Sequence, residues 1–278
     1  MTHQQARHFH TLGFLQCKQL LSPAEMQPLS TAFDAAMEKA RGGSPPPGPG
    51  EKRQQVAPFF DYDPDTFYPL LDDERILNIF AGLMGEDFIF LQSEGIIHTG
   101  GSRWHHDARA PAGFFSMRAA IYLDPLEPGD GCLDVISGSH FKDFGYALTQ
   151  TTSEDDGFGD TLIDIGVQPE EVPGRYSLRN EPGDVIFMNH KLFHAALSEN
   201  SRRRAIHINC VQNTTPEKNR EHYDWLIKIL DQSTKAEGRF YSDRLLETAG
   251  PRRRKMMART IELGFGNTGP ITQVQDLR

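Results

Sequence analysis

The sequence has few cysteines, a deficit of basic residues and no long apolar run. Its three cysteines, Cys17, Cys132 and Cys210, are too few and too scattered for a disulfide framework or a cysteine zinc site. A net charge of −9 and a pI near 5.6 argue against general nucleic-acid binding, which needs a basic face. No apolar segment approaches the roughly 20 residues of a membrane span, and residues 1–5 lack a signal-peptide pattern. These absences predict a cytoplasmic protein that binds neither nucleic acid nor membranes.

Helical patterns mark the N-terminal third of the chain. Ser22, Pro23 and Glu25 supply the N-cap, the first helical position and the capping-box acid of a helix that should reach about residue 40. A second helix is predicted over residues 73–84, with Gly85 as its C-terminal stop. This part of the chain is expected to support a larger domain that follows it.

From about residue 88 the pattern changes to short β-prone runs separated by Gly- and Pro-containing turns. Many short strands of this kind predict a sandwich or a barrel. An insertion over residues 143–180, rich in Asp, Thr, Gly and Glu, interrupts the pattern and is expected to be a lid or a surface loop. The β-prone runs cover residues 88–91, 94–98, 103–107, 117–123, 131–136, 184–188 and 205–211.

We expect a single domain over residues 1–278, because no segment looks able to fold alone. It would comprise N-terminal support (1–87), a β core (88–212) and a helical C-terminal extension (213–278). Helical spacing of apolar residues over 217–230 and 241–262 indicates helices that pack on the core or on a second subunit. A homo-oligomer is therefore possible through this extension.

His105 and Asp107 are two good metal ligands placed two residues apart. Positions i and i+2 of a β-strand face the same side, so an extended segment here would aim both side chains at one point. Together they make two thirds of a 2-His-1-carboxylate facial triad, the ligand set of non-heme Fe(II) oxygenases. His194 follows Asp107 by 87 residues, after a Pro-Gly-Asp turn and an apolar strand, and is the candidate third ligand.

Further motifs accompany the metal ligands. They are His8-Phe9 through Glu25, Leu83-Met84-Gly85, Trp104 through Asp107, Tyr122-Leu123-Asp124, Gly131-Cys132-Leu133, Ser137 through His140, Gly183-Asp184 through His194, and the arginine cluster that follows the distal histidine. With these motifs the sequence resembles the phytanoyl-CoA dioxygenase family of Fe(II)/2-oxoglutarate-dependent oxygenases, which includes ectoine hydroxylase. The resemblance covers nearly all of residues 6–212 and implies a mainly β fold with flanking helices around a double-stranded β-helix, a jelly-roll, cupin-like core.

The resemblance implies that His105, Asp107 and His194 bind Fe(II). The co-substrates would be 2-oxoglutarate and O2, and the reaction would hydroxylate a small molecule with release of succinate and CO2. Halogenases of this class carry a small residue in place of the carboxylate ligand. Asp107 therefore favours hydroxylation or a related oxidation.

The resemblance also implies that Arg203 binds the distal carboxylate of 2-oxoglutarate. Arg204 and Arg202 stay open as alternatives, because the spacing of nine residues from His194 to Arg203 is short for this family. Several members have a small hydroxyl residue where this chain has Ala196, so one co-substrate hydrogen bond is missing or supplied elsewhere. The other expected co-substrate contacts are Gln92 and His98.

Three residues are candidates for substrate recognition: Arg109, Arg118 and Trp104. An inward arginine can recognise a carboxylate, phosphonate or phosphate, so we expect a small polar or anionic substrate. Two other readings stay open. One is a non-catalytic jelly roll that binds a metal or a ligand, and the other is a cupin-type metalloenzyme that does not use 2-oxoglutarate.

Overall fold

The computed structural model describes residues 1–48, 53–107, 110–141, 171, 174–198, 202–237 and 241–265, the side chains of residues 232–237 excepted. Arg109 and most of the expected insertion over residues 143–180 lie outside these ranges. Among the described helices, none combines the length and the apolar character needed to cross a bilayer.

Ten described strands form two antiparallel sheets. The larger sheet has the order β1-β8-β5-β10-β3-β2, and the smaller has the order β4-β9-β6-β7. The strands are β1 (Phe14–Cys17), β2 (Gln54–Val56), β3 (Ile89–Thr99), β4 (Ser102–His105), β5 (Ser116–Tyr122), β6 (Leu133–Ile136), β7 (Arg175–Leu178), β8 (Val185–Asn189), β9 (His194–Ala196) and β10 (Arg202–Val211). Strands β3 to β10 alternate between the two sheets along the chain, apart from β6 and β7, which are adjacent. This arrangement is the double-stranded β-helix expected from the sequence.

Helices flank the larger sheet and occupy both ends of the chain. They are α1 (His3–Leu12), α2 (Pro23–Arg41), α3 (Pro64–Phe67), α4 (Glu74–Met84), α5 (Arg220–Glu237), α6 (Asp243–Glu247) and α7 (Pro251–Glu262), with short 3-10 helices at Phe60–Tyr62 and Tyr68–Leu71. The predicted start of α2 is confirmed: the backbone N–H of Ser22 donates to Glu25 Oε2 at 2.7 Å, and Ser22 Oγ accepts from the Glu25 N–H at 3.4 Å. The second predicted helix, α4, is also confirmed: it begins one residue later than expected, with Asp73 as its N-cap, and Gly85 ends it as predicted.

The sequence pattern misplaces some strand boundaries. The runs at 88–91 and 94–98 form one continuous strand, β3, and the run at 103–107 ends as a strand at His105. The expected insertion extends too far, because β7 lies inside its C-terminal end and pairs with β6. The patterns also miss β2, which is three residues long and exists because a distant strand pairs with it.

Alternation along β5 divides the molecule into a core and a cavity. Met117, Ala119 and Ile121 belong to the large apolar cluster shared with the helices. Ser116, Arg118, Ala120 and Tyr122 point the other way and line a cavity between the two sheets. Helices α5 and α7 contribute Leu226, Leu230, Met256 and Met257 to the same apolar cluster, so the C-terminal helices pack on the barrel.

A tight turn before β8 gives a direct test of this packing. Gly183 has φ +103°, and a Cβ there would lie 2.3 Å from the Leu21 carbonyl oxygen. Gly183→Ala is therefore expected to lower the free energy of unfolding by about 3–5 kcal/mol, through left-handed strain and a backbone collision together. Urea unfolding of the metal-free protein measures the change.

Gly129→Ala is the matched control for this turn. Gly129 has φ +84° and no heavy atom within 4 Å of its ideal Cβ, so only the strain of about 1–2 kcal/mol applies. Equal losses in the two variants would show that the contact between Gly183 and Leu21 does not limit stability.

Candidate metal centre and cavity

Strand pairing brings the two candidate histidine ligands together. His105 is the last residue of β4 and His194 the first of β9, and the two are direct partners in the antiparallel register. Direct cross-strand partners on one face have Cβ atoms about 4.5–5.5 Å apart. The imidazole centroids lie 4.3 Å apart. The pairing of β4 with β9 therefore brings two histidines that are far apart in sequence into contact.

Asp107 reaches the same point by a different route from the one predicted. It lies beyond the end of β4, in a bend, so strand alternation does not set its direction. Its backbone N–H donates to the His190 carbonyl oxygen at 2.7 Å, which holds the bend against the loop after β8. Asp107 Oδ1 lies 3.9 Å from His105 Nε2, and Oδ2 lies 3.5 Å from His194 Nε2.

The three side chains form a donor set that fits a metal ion. One ligand atom from each of His105, Asp107 and His194 can be chosen so that all lie within 4.8 Å of one another. Two imidazole nitrogens and one carboxylate oxygen on one face are the facial triad of non-heme Fe(II) oxygenases, which leaves other coordination positions open.

Both histidines are oriented for metal binding through Nε2. His105 Nδ1 lies 2.7 Å from the Arg103 carbonyl oxygen, and His194 Nδ1 lies 2.9 Å from the Leu192 carbonyl oxygen. A carbonyl only accepts, so Nδ1 carries the proton in each ring and the Nε2 lone pair is available. Burial is the main reason that the pKa of each histidine is lowered to about 3, which keeps both rings neutral at pH 7.

The candidate ligands open into a cavity of about 720 Å³ between the two sheets. Its size is in the range typical of small-molecule sites. Four of the residues predicted to contact the co-substrate or the substrate line it: Gln92, His98, Arg118 and Arg203. Ile229 also lines it, so α5, in the C-terminal extension, helps to shape the cavity.

Arg203 and Arg204 point to opposite faces of β10. Arg203 is 4% exposed, lines the cavity and donates from Nη1 to the Gly100 carbonyl oxygen at 3.0 Å. Arg204 lies on the helix side, where it forms ion pairs of 2.7 Å with Asp124 and with Asp34. Of the arginines expected for 2-oxoglutarate, the structure therefore brings Arg203 to the cavity, and the co-substrate role suggested for Arg204 does not fit its position.

Trp104 does not face the cavity either. It is buried in a small apolar cluster with Ile136, Phe193 and Ala195, on the other side of β4 from His105. Strand alternation places it there, since neighbours in a strand point to opposite faces. The substrate contact expected for Trp104 is thus replaced by packing beneath the ligand strand.

A buried polar network in the cavity was missed by sequence reasoning. Glu94 accepts hydrogen bonds from Gln55 at 2.7 Å, Gln92 at 3.2 Å and Asn209 at 3.1 Å. His207 Nδ1 lies 3.4 Å from Glu94 Oε2. Alternation from Arg203 along β10 points to His207 and Asn209, so that signal was available once the inward register of Arg203 was known.

The network keeps Glu94 ionised inside the barrel. Burial alone would raise its pKa, but the hydrogen bond and charge of His207, with the charge of Arg118, lower the pKa of Glu94 to about 2. A buried carboxylate with this many donors is a fixed negative charge. It faces the cationic side chains of the same cavity.

Buried histidines in the cavity predict a steep pH dependence of stability. Burial is the main cause that lowers the pKa of His98 and of His207 below the ordinary value of 6.5. Below pH 6.5 the unfolded chain binds protons that the folded protein excludes, so stability is full above this pH and is lost as pH falls. Each histidine contributes up to about 1.4 kcal/mol per pH unit to this loss.

Urea unfolding of the metal-free protein between pH 5 and pH 7.5 measures this slope. His98→Asn is expected to reduce it by up to about 1.4 kcal/mol per pH unit, the contribution of one proton. An unchanged slope in that variant would show that His98 titrates normally in the folded protein.

The fold and the donor set together define a jelly-roll oxygenase of the non-heme iron class. The family model described as phytanoyl-CoA dioxygenase matches residues 9–205 of the chain. The chain therefore belongs to the phytanoyl-CoA dioxygenase family, whose members use Fe(II), 2-oxoglutarate and O2. It is accordingly a 2-oxoglutarate-dependent dioxygenase. Among curated proteins, no significant match to the chain was found.

Solved structures of similar fold agree with this assignment. The epimerase SnoN, in complex with Fe3+, alpha ketoglutarate and nogalamycin RO, is 19% identical over 75% of this chain and 82% of its own, with a TM-score of 0.56. HygX from Streptomyces hygroscopicus, with nickel and 2-oxoglutarate bound, is 17% identical over 77% and 88%, with a TM-score of 0.56. The carbocyclase SnoK from nogalamycin biosynthesis is 19% identical over 76% and 84%, with a TM-score of 0.54. At these identities the likeness establishes the fold.

Proposed function

We propose that the protein hydroxylates a small, polar or anionic metabolite, with conversion of 2-oxoglutarate and O2 to succinate and CO2. The observation that supports the proposal best is the convergence of His105, Asp107 and His194 on a cavity that also contains the buried guanidinium of Arg203. The buried guanidinium beside a metal triad favours an enzyme that binds a carboxylated co-substrate over a non-catalytic binding protein.

Each part of this site has a separate task in the proposed reaction. His105, Asp107 and His194 would hold Fe(II), which when bound supplies the oxidative chemistry with 2-oxoglutarate and O2. Arg203 would anchor the distal carboxylate of the co-substrate by a charge-assisted hydrogen bond. Gln92 and His98 line the same cavity and would complete the co-substrate's surroundings. The apolar cluster behind β4 packs against the ligand strand.

Two cationic side chains support an anionic substrate. Arg53 and Arg103 line the cavity, and among the described residues neither has a carboxylate partner within 4.0 Å. The charge of Arg53 helps to lower the pKa of His98, His105 and His207, so it acts inside the cavity. Unneutralised arginines at a concave site favour a carboxylate, phosphate or phosphonate.

The test is succinate formation by Fe(II)-loaded protein with matched panels of compounds. Each panel would pair a carboxylated or phosphorylated metabolite with its neutral ester or alcohol of similar size. We expect stimulation of succinate release by anionic members, with oxygen incorporated into the product. If only the neutral members stimulate succinate release, the proposal of an anionic substrate is wrong, while the assignment as a dioxygenase still holds.

We propose further that the protein works in the cytosol and forms a homo-oligomer through the C-terminal helices. The three cysteines are free thiols, which suits a reducing compartment. Light scattering during gel filtration would test the oligomer, and a mass equal to one chain would contradict it.

A further inference from the structure

We infer that Arg118 is a positioning residue, which holds the carboxylate of Asp107 in its metal-binding orientation, and that Glu94 and His207 hold Arg118 in turn. This inference rests on the proposed function, because it assigns a role around the same metal triad. It changes the expectation for Arg118, which the sequence marked as a substrate residue.

Asp107 needs such a device because the sheet does not orient it. It lies after the last residue of β4, and the one backbone hydrogen bond described for it joins its N–H to the His190 carbonyl oxygen. That bond holds the main chain but leaves the carboxylate free to rotate. The guanidinium of Arg118 contacts Asp107 Oδ2 through Nη2 and fixes the rotation, with Oδ1 turned toward His105.

Arg118 is itself held by the buried network. Its other terminal nitrogen, Nη1, lies 3.2 Å from His207 Nδ1. His207 lies directly opposite Glu94 in the pairing of β10 with β3, and Arg118 lies directly opposite Asn209 in the pairing of β10 with β5. Glu94 therefore supplies a fixed negative charge, on rigid strands, beside the buried guanidinium.

The energetics favour this arrangement over a mobile arginine. Burial lowers the pKa of Arg118, and the charge of Glu94 opposes that effect. A buried cation without a partner is costly, so Arg118 stays paired with the Asp107 carboxylate, and the charge of Glu94 adds to its stabilisation. The contact of Nη2 with Asp107 favours positioning over direct substrate binding.

Positioning and simple electrostatics predict opposite signs for the loss of Arg118. A cation close to the triad repels a divalent metal, so on charge alone its removal would tighten metal binding. If Arg118 orients Asp107, its removal weakens metal binding, since hydrogen-bond partners of metal ligands contribute about 10- to 100-fold to metal affinity. The direction of the change therefore separates the two roles.

The experiment is a titration of metal-free protein with Mn(II), followed by electron paramagnetic resonance of free and bound metal. Arg118→Gln is expected to weaken binding 10- to 100-fold. Arg118→Lys keeps the charge but loses the planar guanidinium, so it should also weaken Mn(II) binding. The affinity of Glu94→Gln should lie between those of Arg118→Lys and the wild type. The spectrum of the bound Mn(II) should change in all three variants.

Arg204→Gln is the matched control, because Arg204 is another arginine of the same sheet paired with an aspartate, on the face away from the cavity. It should leave affinity and spectrum unchanged. Equal or tighter binding by Arg118→Gln and Arg118→Lys, in samples with wild-type circular dichroism, would overturn the inference alone. A wild-type protein that does not bind Mn(II) would overturn the proposed function and the inference with it.

Discussion

Replacing His194 with alanine is expected to abolish the visible charge-transfer band that Fe(II) and 2-oxoglutarate together give in the anaerobic wild-type protein. The side chain is one of three ligands, and its Nε2 is presented to the metal by the bond from Nδ1 to the Leu192 carbonyl oxygen. Loss of a ligand should cost more than the roughly 10- to 100-fold typical of a partner that only orients one. We therefore expect Fe(II) affinity to fall by more than about 100-fold.

Asp107→Ala should give the same result, and His222→Gln is the control for both. His222 lies on α5 and bonds to the Ala112 carbonyl oxygen at 3.0 Å, outside the cavity. The control should keep the band at wild-type intensity. A band that persists in His194→Ala at wild-type metal concentrations would mean that a different side chain completes the metal site.

The elements that local signals specify were the ones that the sequence predicted well. Ser22 and Glu25 lie within one turn of each other, so their capping box could be read before any tertiary contact was known. Strand β2 has no such signal, since three residues carry too little pattern. It forms because β3 offers it a hydrogen-bonding edge from far along the chain.

The candidate site was predictable in composition but not in orientation. The spacing of His105 and Asp107 marked the metal motif, yet the expected reason was wrong, because the strand ends at His105 and a bend brings Asp107 round. Trp104 belongs to the same motif, but whether its side chain faces the cavity depends on which face of β4 the cavity occupies. The network around Glu94 depended on the register of three strands, which no local pattern contains.

Arg203→Ala is expected to raise the 2-oxoglutarate concentration required for the charge-transfer band and for succinate formation by about 30- to 4,000-fold. Removing one partner from a buried, hydrogen-bonded charge pair costs about 2–5 kcal/mol, and each 1.4 kcal/mol is a factor of ten. Arg203 is suited to this role because its guanidinium is buried in the cavity, directly opposite His98 in the register of β10 with β3. Fe(II) affinity measured without 2-oxoglutarate should stay within about threefold of wild type, because Arg203 is not a ligand.

Arg204→Gln separates this role from a general effect of arginine loss on β10. Its ion pairs with Asp124 and Asp34 lie on the helix side of the sheet, so the variant should lose some stability while its 2-oxoglutarate requirement stays unchanged. The two substituted residues are neighbours on β10 but face opposite sides of the sheet. The 2-oxoglutarate requirement should therefore rise in Arg203→Ala and stay unchanged in Arg204→Gln. An unchanged requirement in Arg203→Ala would favour a cupin-type metalloenzyme that does not use 2-oxoglutarate, since the one arginine of β10 that faces the cavity would then hold no co-substrate.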